Sequence, residues 1–100
     1  MITATDWRPR VQTTLQGFLT LKLLPSGIVL RECSLHEKEG RRWIGLPSKP
    51  QIGEDGRHRT DPTTSKKLYT PIVEVAGKNE RERFQAAALA AINKLIGGAP

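Results

Sequence analysis

One stretch of this chain has sustained helical periodicity, and it comes last. Phe84, Ala87, Ala88, Ala91, Ile92, Leu95 and Ile96 recur at i, i+3, i+4 and i+7, the spacing of an apolar stripe on a helix. Asn79 is a good N-cap and Glu82 stands three residues later, as in a capping box. Glu80 and Glu82 suit the positive end of the helix dipole, and Gly97-Gly98 with Pro100 ends the helix. A helix over 79–96 is predicted. The alanines along it allow close approach to a sheet or to a second helix, and so few large side chains suggest that a second copy helps cover the sheet. The expected dimer interface is Phe84, Ala88, Ala91, Ile92 and Leu95.

Everything before the helix reads as strand and turn. Leu19, Leu21 and Leu23 alternate with Phe18, Thr20 and Lys22, the period of a strand with one buried face. Pro25-Ser26-Gly27 is a tight turn. In the next strand Val29, Cys33 and Leu35 share a face with Arg31, and Ile28 and Leu30 share the other with Glu32, Ser34 and His36. Glu37 to Gly40 turns the chain again, and Pro47 closes the strand after it. Predicted strands cover 2–8, 18–24, 27–36, 41–47 and 67–76. Pro9 ends the first or confines it to an edge, and Pro71 marks the last as an edge or a bulge. Gly45, inside a strand, signals a bulge or a close approach. The fold class is α+β: an antiparallel sheet of four to five strands, then one C-terminal helix, in a single domain spanning 1–100.

Residues 48–66 fit neither period. They form a loop too long for a structural connection in a 100-residue chain, and such loops are functional or disordered. From Arg41 to Lys67 there are seven basic residues against three acidic ones, which is +4 of the chain's formal +6. With a pI near 10.0, a polyanionic partner is the first expectation; a merely solvated charge surface is the other. Arg41-Arg42-Trp43 and Lys66-Lys67-Leu68-Tyr69 set an aromatic beside a basic pair at each end of the loop, the combination that holds phosphates and stacks on unpaired bases. Trp43 and Tyr69 are stacking platforms if their strands line one sheet face, and core residues otherwise. Ser48-Lys49 offers a hydroxyl, an ammonium and backbone N–H groups to a phosphate. Trp7 reads as a core anchor, with a stacking role as the alternative.

Other chemistry is sparse. Cys33, the one cysteine, can make no intramolecular disulfide and reads as a small buried hydrophobe. Three residues from His36, it falls on the opposite strand face, so no Cys–His nucleophile pair is expected. His36 is read as a surface residue at a hairpin end. His58, between Arg57 and Arg59, is a solvated loop residue or a phosphate contact. Glu54, Asp55 and His58 lack the further ligand a metal site needs, and Gly53-Glu54-Asp55-Gly56 lacks the Gly-Lys-Ser/Thr of a P-loop. The expectation is a protein that is not an enzyme, with no cofactor and no metal. With no apolar run of about 18 residues and no secretory leader pattern at Met1, no membrane association is expected and a cytoplasmic setting is the default.

Trp43-Ile44-Gly45-Leu46-Pro47-Ser48-Lys49 resembles a segment of the stage V sporulation protein G family. Members carry a strand–hairpin–strand segment leading to Met-Pro-Ser-Arg/Lys, then a glycine-containing loop, a proline strand and a C-terminal helix. Leu46-Pro47-Ser48-Lys49 matches that signature with Leu for Met. Residues 28–33 fall at the family's central strand, Asp55-Gly56 in its loop, and Tyr69-Thr70-Pro71-Ile72 near its later proline; the order covers most of 2–96. The resemblance implies a small homodimeric DNA-binding regulator of transcription, with Lys49, Arg57 and Arg59 inheriting the DNA contact. The segment between Pro47 and Pro71 is longer here and the helix lacks the family's polar continuation, so no base preference carries over. In architecture alone, the chain is also similar to positive-cofactor-four and Whirly-type single-stranded DNA-binding proteins, which would make Arg31, Arg41, Arg42 and Trp43 the lining of a channel. The full expected nucleic-acid surface is Arg31, Arg41, Arg42, Trp43, Lys49, Arg57, Arg59, Lys66 and Lys67, with DNA ahead of RNA. The alternative is a protein-interaction module whose basic loop is solvated.

Overall fold

The computed structural model describes residues 1–97. Strands β1 (Ile2–Gln12), β2 (Leu15–Leu23), β3 (Ile28–Lys38) and β4 (Arg41–Gly45) form an antiparallel sheet in the order β1-β2-β3-β4. Two shorter strands, β5 (Ser48–Pro50) and β6 (Tyr69–Pro71), pair in a second sheet, and helix α1 (Lys78–Ile96) follows. The α+β order read from the periodicities is the observed one. Pro9 lies inside β1 rather than ending it, which its place on an edge strand permits.

Simple alternation fails at two matched bulges. Leu19 and Leu21 of β2 face Cys33 and Leu30 of β3, so one residue on β2 opposes two on β3. At the same level Thr5 and Arg8 of β1 face Thr20 and Phe18, again with one residue too many on the outer strand. Asp6 and Glu32 take up the extra residue with φ of 57° and 58°, the left-handed region that only a local constraint makes tolerable for a side-chain-bearing residue. Each bulge inverts the parity of its strand. Leu30 therefore joins Cys33 and Leu35 in the core while Val29 is exposed, the reverse of the uninterrupted pattern. In β1 the core-facing set likewise passes from Ile2 and Ala4 to Trp7. Trp7 is the expected anchor: its ring lies over Gly17, where an added Cβ would sit 2.5 Å from it.

Helix α1 crosses the inner face between β1 and β4. Leu19, Leu21, Leu30, Cys33, Leu35 and Ile44 from the sheet close around Ala88 and Ile92 from the helix. The sheet supplies the large side chains and the alanines let the helix come close, so the core is closed within one chain. Ala88 and Ile92 have no accessible surface and Ala91 is 7% exposed; they pack on the sheet of their own chain. Of the expected interface residues, Leu95 is the exposed one and Phe84 is packed against the core.

The helix begins two residues earlier than its sequence signals suggest. Gly77, at φ 90°, is the N-cap and receives no side-chain cap. Asn79 and Glu82 therefore sit inside the helix, and Glu80 is the third residue, its carboxylate folded over Gly77 where any Cβ would overlap it. The positive φ is what favours glycine there; the Glu80 carboxylate, the end of a flexible side chain, could move aside. At the other end Gly97 is left-handed, φ 68°, and its N–H donates to the Asn93 carbonyl at 2.7 Å. The expected stop signals Gly98 and Pro100 lie outside the described residues.

Gln85 ties the helix to the outer edge of β4. The Ile44 N–H donates to its Oε1 and its Nε2 donates to the Ile44 carbonyl, both at 2.8 Å. One amide thus does what a neighbouring strand would do, and it closes an edge otherwise open to pairing. Gln85→Ala is expected to lower unfolding free energy by about 1–3 kcal/mol, because two half-buried backbone groups lose their partners. Gln85→Glu, which keeps an acceptor but has no donor for the carbonyl, is expected to fall in the same range. Urea denaturation followed by circular dichroism reads both; wild-type midpoints would show that the bridge contributes nothing.

The Cys33 thiol donates to the Leu30 carbonyl at 3.5 Å and is fully buried. Burial pushes its pKa from an ordinary 9.0 to about 11, with the Glu32 charge adding to the rise and a Leu21 backbone hydrogen bond opposing it. Between those two values the unfolded chain loses a proton that the folded chain keeps. The stability this represents, on the order of 2–3 kcal/mol, is complete below pH 9 and is lost as pH rises through 11. Cys33→Ala is expected to show a flatter alkaline decline in stability than wild type across that window, measured by denaturant titration at several pH values.

Candidate nucleic-acid interface

The predicted loop is a paired structure. β5 and β6 align Ser48 with Pro71, Lys49 with Thr70 and Pro50 with Tyr69. Beyond them residues 57–61 insert between the two strands. Arg59 N–H donates to the Gln51 carbonyl and Leu68 N–H to the Arg59 carbonyl, each at 2.8 Å, with further bridges at Ile52–His58 and Thr60–Lys67. The result is a β-arm that leaves the main sheet at Pro47 and returns there, the Pro47 carbonyl accepting from the N–H groups of Ile72 and Val73. The predicted strand over 67–76 is thus only Tyr69–Pro71, and it pairs with β5 instead of extending the main sheet.

The arm carries Lys49, Arg57, Arg59, Lys66 and Lys67, all exposed. Lys49 and Arg59, ten residues apart in sequence, line one open depression with Gln51 and Thr70. Two of the three acidic residues are turned onto the arm's own backbone. Asp55 accepts from the Arg57 N–H at 3.1 Å, and Asp61 from the N–H groups of Thr63 and Thr64 at 2.7 and 3.2 Å. They shape turns and leave the basic side chains facing outward.

The second basic surface is the sheet face opposite α1. The alternation that buries Ile44 places Arg41, Trp43 and Gly45 on this face, opposite Lys38, His36 and Ser34 in register. Arg31 borders a depression there with Asp6, Arg8, Thr20 and Glu32. Arg8 and Glu32 reach across β2 in an exposed 2.9 Å ion pair, worth at most about 1 kcal/mol, and the Arg8 guanidinium stands 5.9 Å from the Phe18 ring centre.

Arg42 does not belong to this surface. It points to the helix side, donating to Glu37 at 3.1 Å and to the Asn93 side chain at 3.0 Å, and is mostly buried. One residue's difference in strand parity separates it from Arg41. Tyr69 and Trp43 are not twin platforms either. Their strands belong to different sheets, and Tyr69 lines an apolar groove with Ile44, Leu46, Pro71 and Phe84 on the helix side of β4.

His36 is a finding of the structure. It lies inside β3, half-buried, with its ring parallel to Trp43 at 7° and 5.4 Å between centres. Its Nδ1 is 3.0 Å from Thr14 Oγ1 and its Nε2 2.9 Å from Ser34 Oγ. Burial lowers its pKa from the ordinary histidine value. The pairing follows from the turn: Glu39 and Gly40 both take positive φ, 53° and 77°, as a two-residue hairpin turn requires. Reading that turn as two residues sets Lys38 against Arg41 and hence His36 against Trp43. Gly45 earns its place on this face too, since a Cβ there would overlap Ser34 Oγ and approach His36 Nε2 to 3.4 Å.

No protein-family model, curated protein or solved structure matches the chain. Among the described residues, no helix is long and apolar enough to cross a membrane.

Proposed function

We propose that this chain is a small nucleic-acid-binding protein, DNA ahead of RNA, that acts as a homodimer, grips phosphates with its β-arm and engages the strand further on the outer sheet face. The observation that carries the reading is the arm. Backbone pairing brings Lys49 and Arg59 to one depression, with Arg57, Lys66 and Lys67 exposed on the same element and Asp55 and Asp61 occupied by turns. Cations fixed on a β-ribbon are suited to replace the counterions of a phosphate chain. Such contacts position a nucleic acid without selecting its sequence, and the resemblance at Leu46-Pro47-Ser48-Lys49 points the same way. In a homodimer, the helix surface left for a partner centres on Leu95.

The test is fluorescence anisotropy with labelled single-stranded DNA, duplex DNA and RNA at two salt concentrations, on wild type and on a protein with the arm's basic residues neutralised. Binding that weakens with salt and with neutralisation supports the reading. A second reading, docking of a protein partner, is favoured by the half-exposed Tyr69 and the exposed Ile72 beside the apolar groove. It expects no oligonucleotide binding and capture of a protein that a Tyr69→Ser variant loses.

A further inference from the structure

The β3–β4 hairpin holds an aromatic ladder that is already ordered before any ligand arrives. His36 is held at both ring nitrogens, by Thr14 and Ser34, and it covers one face of the Trp43 indole. β4 is the last strand of its sheet, so no further strand flanks Trp43 on the other side. Trp43 is half-buried, and among the described residues His36 is its one ring or cation contact. Its neighbours on the same strand face are Arg41, exposed, and Gly45, which has no side chain to crowd the ring. The arm begins five residues further on, so Ser48 lies within about 17 Å of Trp43 along the chain.

We propose that the Trp43 face turned away from His36 stacks on one unpaired nucleobase of a single-stranded nucleic acid, with Arg41 taking a neighbouring phosphate. The inference rests on the nucleic-acid reading above. An unpaired base presents a π-face that an indole can cover, whereas the bases of a duplex are already stacked on one another. The pre-formed contact with His36 spares the indole most of the ordering cost that a free side chain would bear on binding. Stacking needs no particular base, so the site accepts DNA or RNA by shared chemistry, and sequence preference from it should be slight.

The experiment uses labelled oligothymidylate and oligouridylate of about 15 nucleotides and a duplex of the same length, titrated by anisotropy at two salt concentrations. Trp43→Leu is expected to weaken single-strand binding about 5- to 150-fold, with duplex affinity and salt slope unchanged, while Trp43→Phe keeps most of it. The comparison of the two oligonucleotides assigns the sugar. In a Trp7→Phe protein Trp43 is the sole indole, and its emission should be quenched by either oligonucleotide; this readout needs no change at the site. If a folded Trp43→Leu protein binds single strands as wild type does, still with salt dependence, stacking is overturned and the arm reading stands. Binding without quenching in Trp7→Phe also overturns it. If wild type binds none of the three, both readings fall together.

Discussion

Neutralising Lys49, Arg57, Arg59, Lys66 and Lys67 together is expected to weaken nucleic-acid binding roughly 10²- to 10⁴-fold near 0.1 M salt, and to flatten its salt dependence. Each lost phosphate contact removes about 0.7 from the slope of log K against log salt for a single strand, and about 0.9 for a duplex. Five contacts would thus remove about 3.5 to 4.5 of that slope, an effect no single side chain can mimic. Substitution by glutamine keeps the arm's polarity. Folding should survive because all five side chains are exposed and the arm's cohesion is backbone pairing. Single substitutions at Lys49 or Arg59 should each lower the slope by close to one unit and weaken all sequences alike. Arg42→Gln is the informative contrast. That residue serves the β4–α1 contact through Glu37 and Asn93, so its loss should lower the melting temperature and leave the salt slope alone. A five-fold variant that is folded and binds with the wild-type slope would remove the arm from the interface.

Ala88→Glu is expected to prevent folding altogether. Ala88 has no accessible surface and sits in the cluster formed with Leu19, Leu21, Leu35 and Ile92. A carboxylate placed there has no room and no partner among those side chains. Burying an unpaired charge costs several kcal/mol even after relaxation, and overpacking adds about 1–3 kcal/mol; a domain of this size has only about 5–15 kcal/mol to lose. Circular dichroism should show loss of the cooperative thermal transition. A folded, dissociated variant is what a helix–helix interface through Ala88 would produce, and it would contradict the closed protomer core. Leu95→Glu separates the two ideas. Leu95 is 44% exposed, so this variant should fold normally, and sedimentation velocity then reads whether the helix surface joins two copies.

The readings that survived are those that depend on local periodicity. The single amphipathic stretch produced α1, the leucine alternation produced β2, and the helix ended at Gly97 as expected, there in a left-handed conformation. The readings that failed turned on single residues of register. Leu30 and Val29 exchanged faces because Glu32 adds one residue to β3. Arg42 and Arg41 parted because neighbours on a strand point to opposite faces. The helix start moved to Gly77, whose positive φ of 90° no N-cap preference at Asn79 expresses. Trp43 was legible as an aromatic beside basic residues, but its partner His36 is seven positions away and visible only once the hairpin register is known.

The sequence by itself determined the fold class, the position of the helix and the concentration of positive charge between β4 and the return to the helix. These follow from side-chain chemistry repeated at a fixed period, or simply counted. Only the tertiary structure decided that the basic segment is an ordered arm, that Lys49 and Arg59 share one depression, and that His36 holds one face of Trp43 while Gln85 seals the edge of β4. Those outcomes rest on backbone hydrogen bonds and bulges, in which any residue can take part. Identity along the chain therefore carries almost no record of which groups will meet.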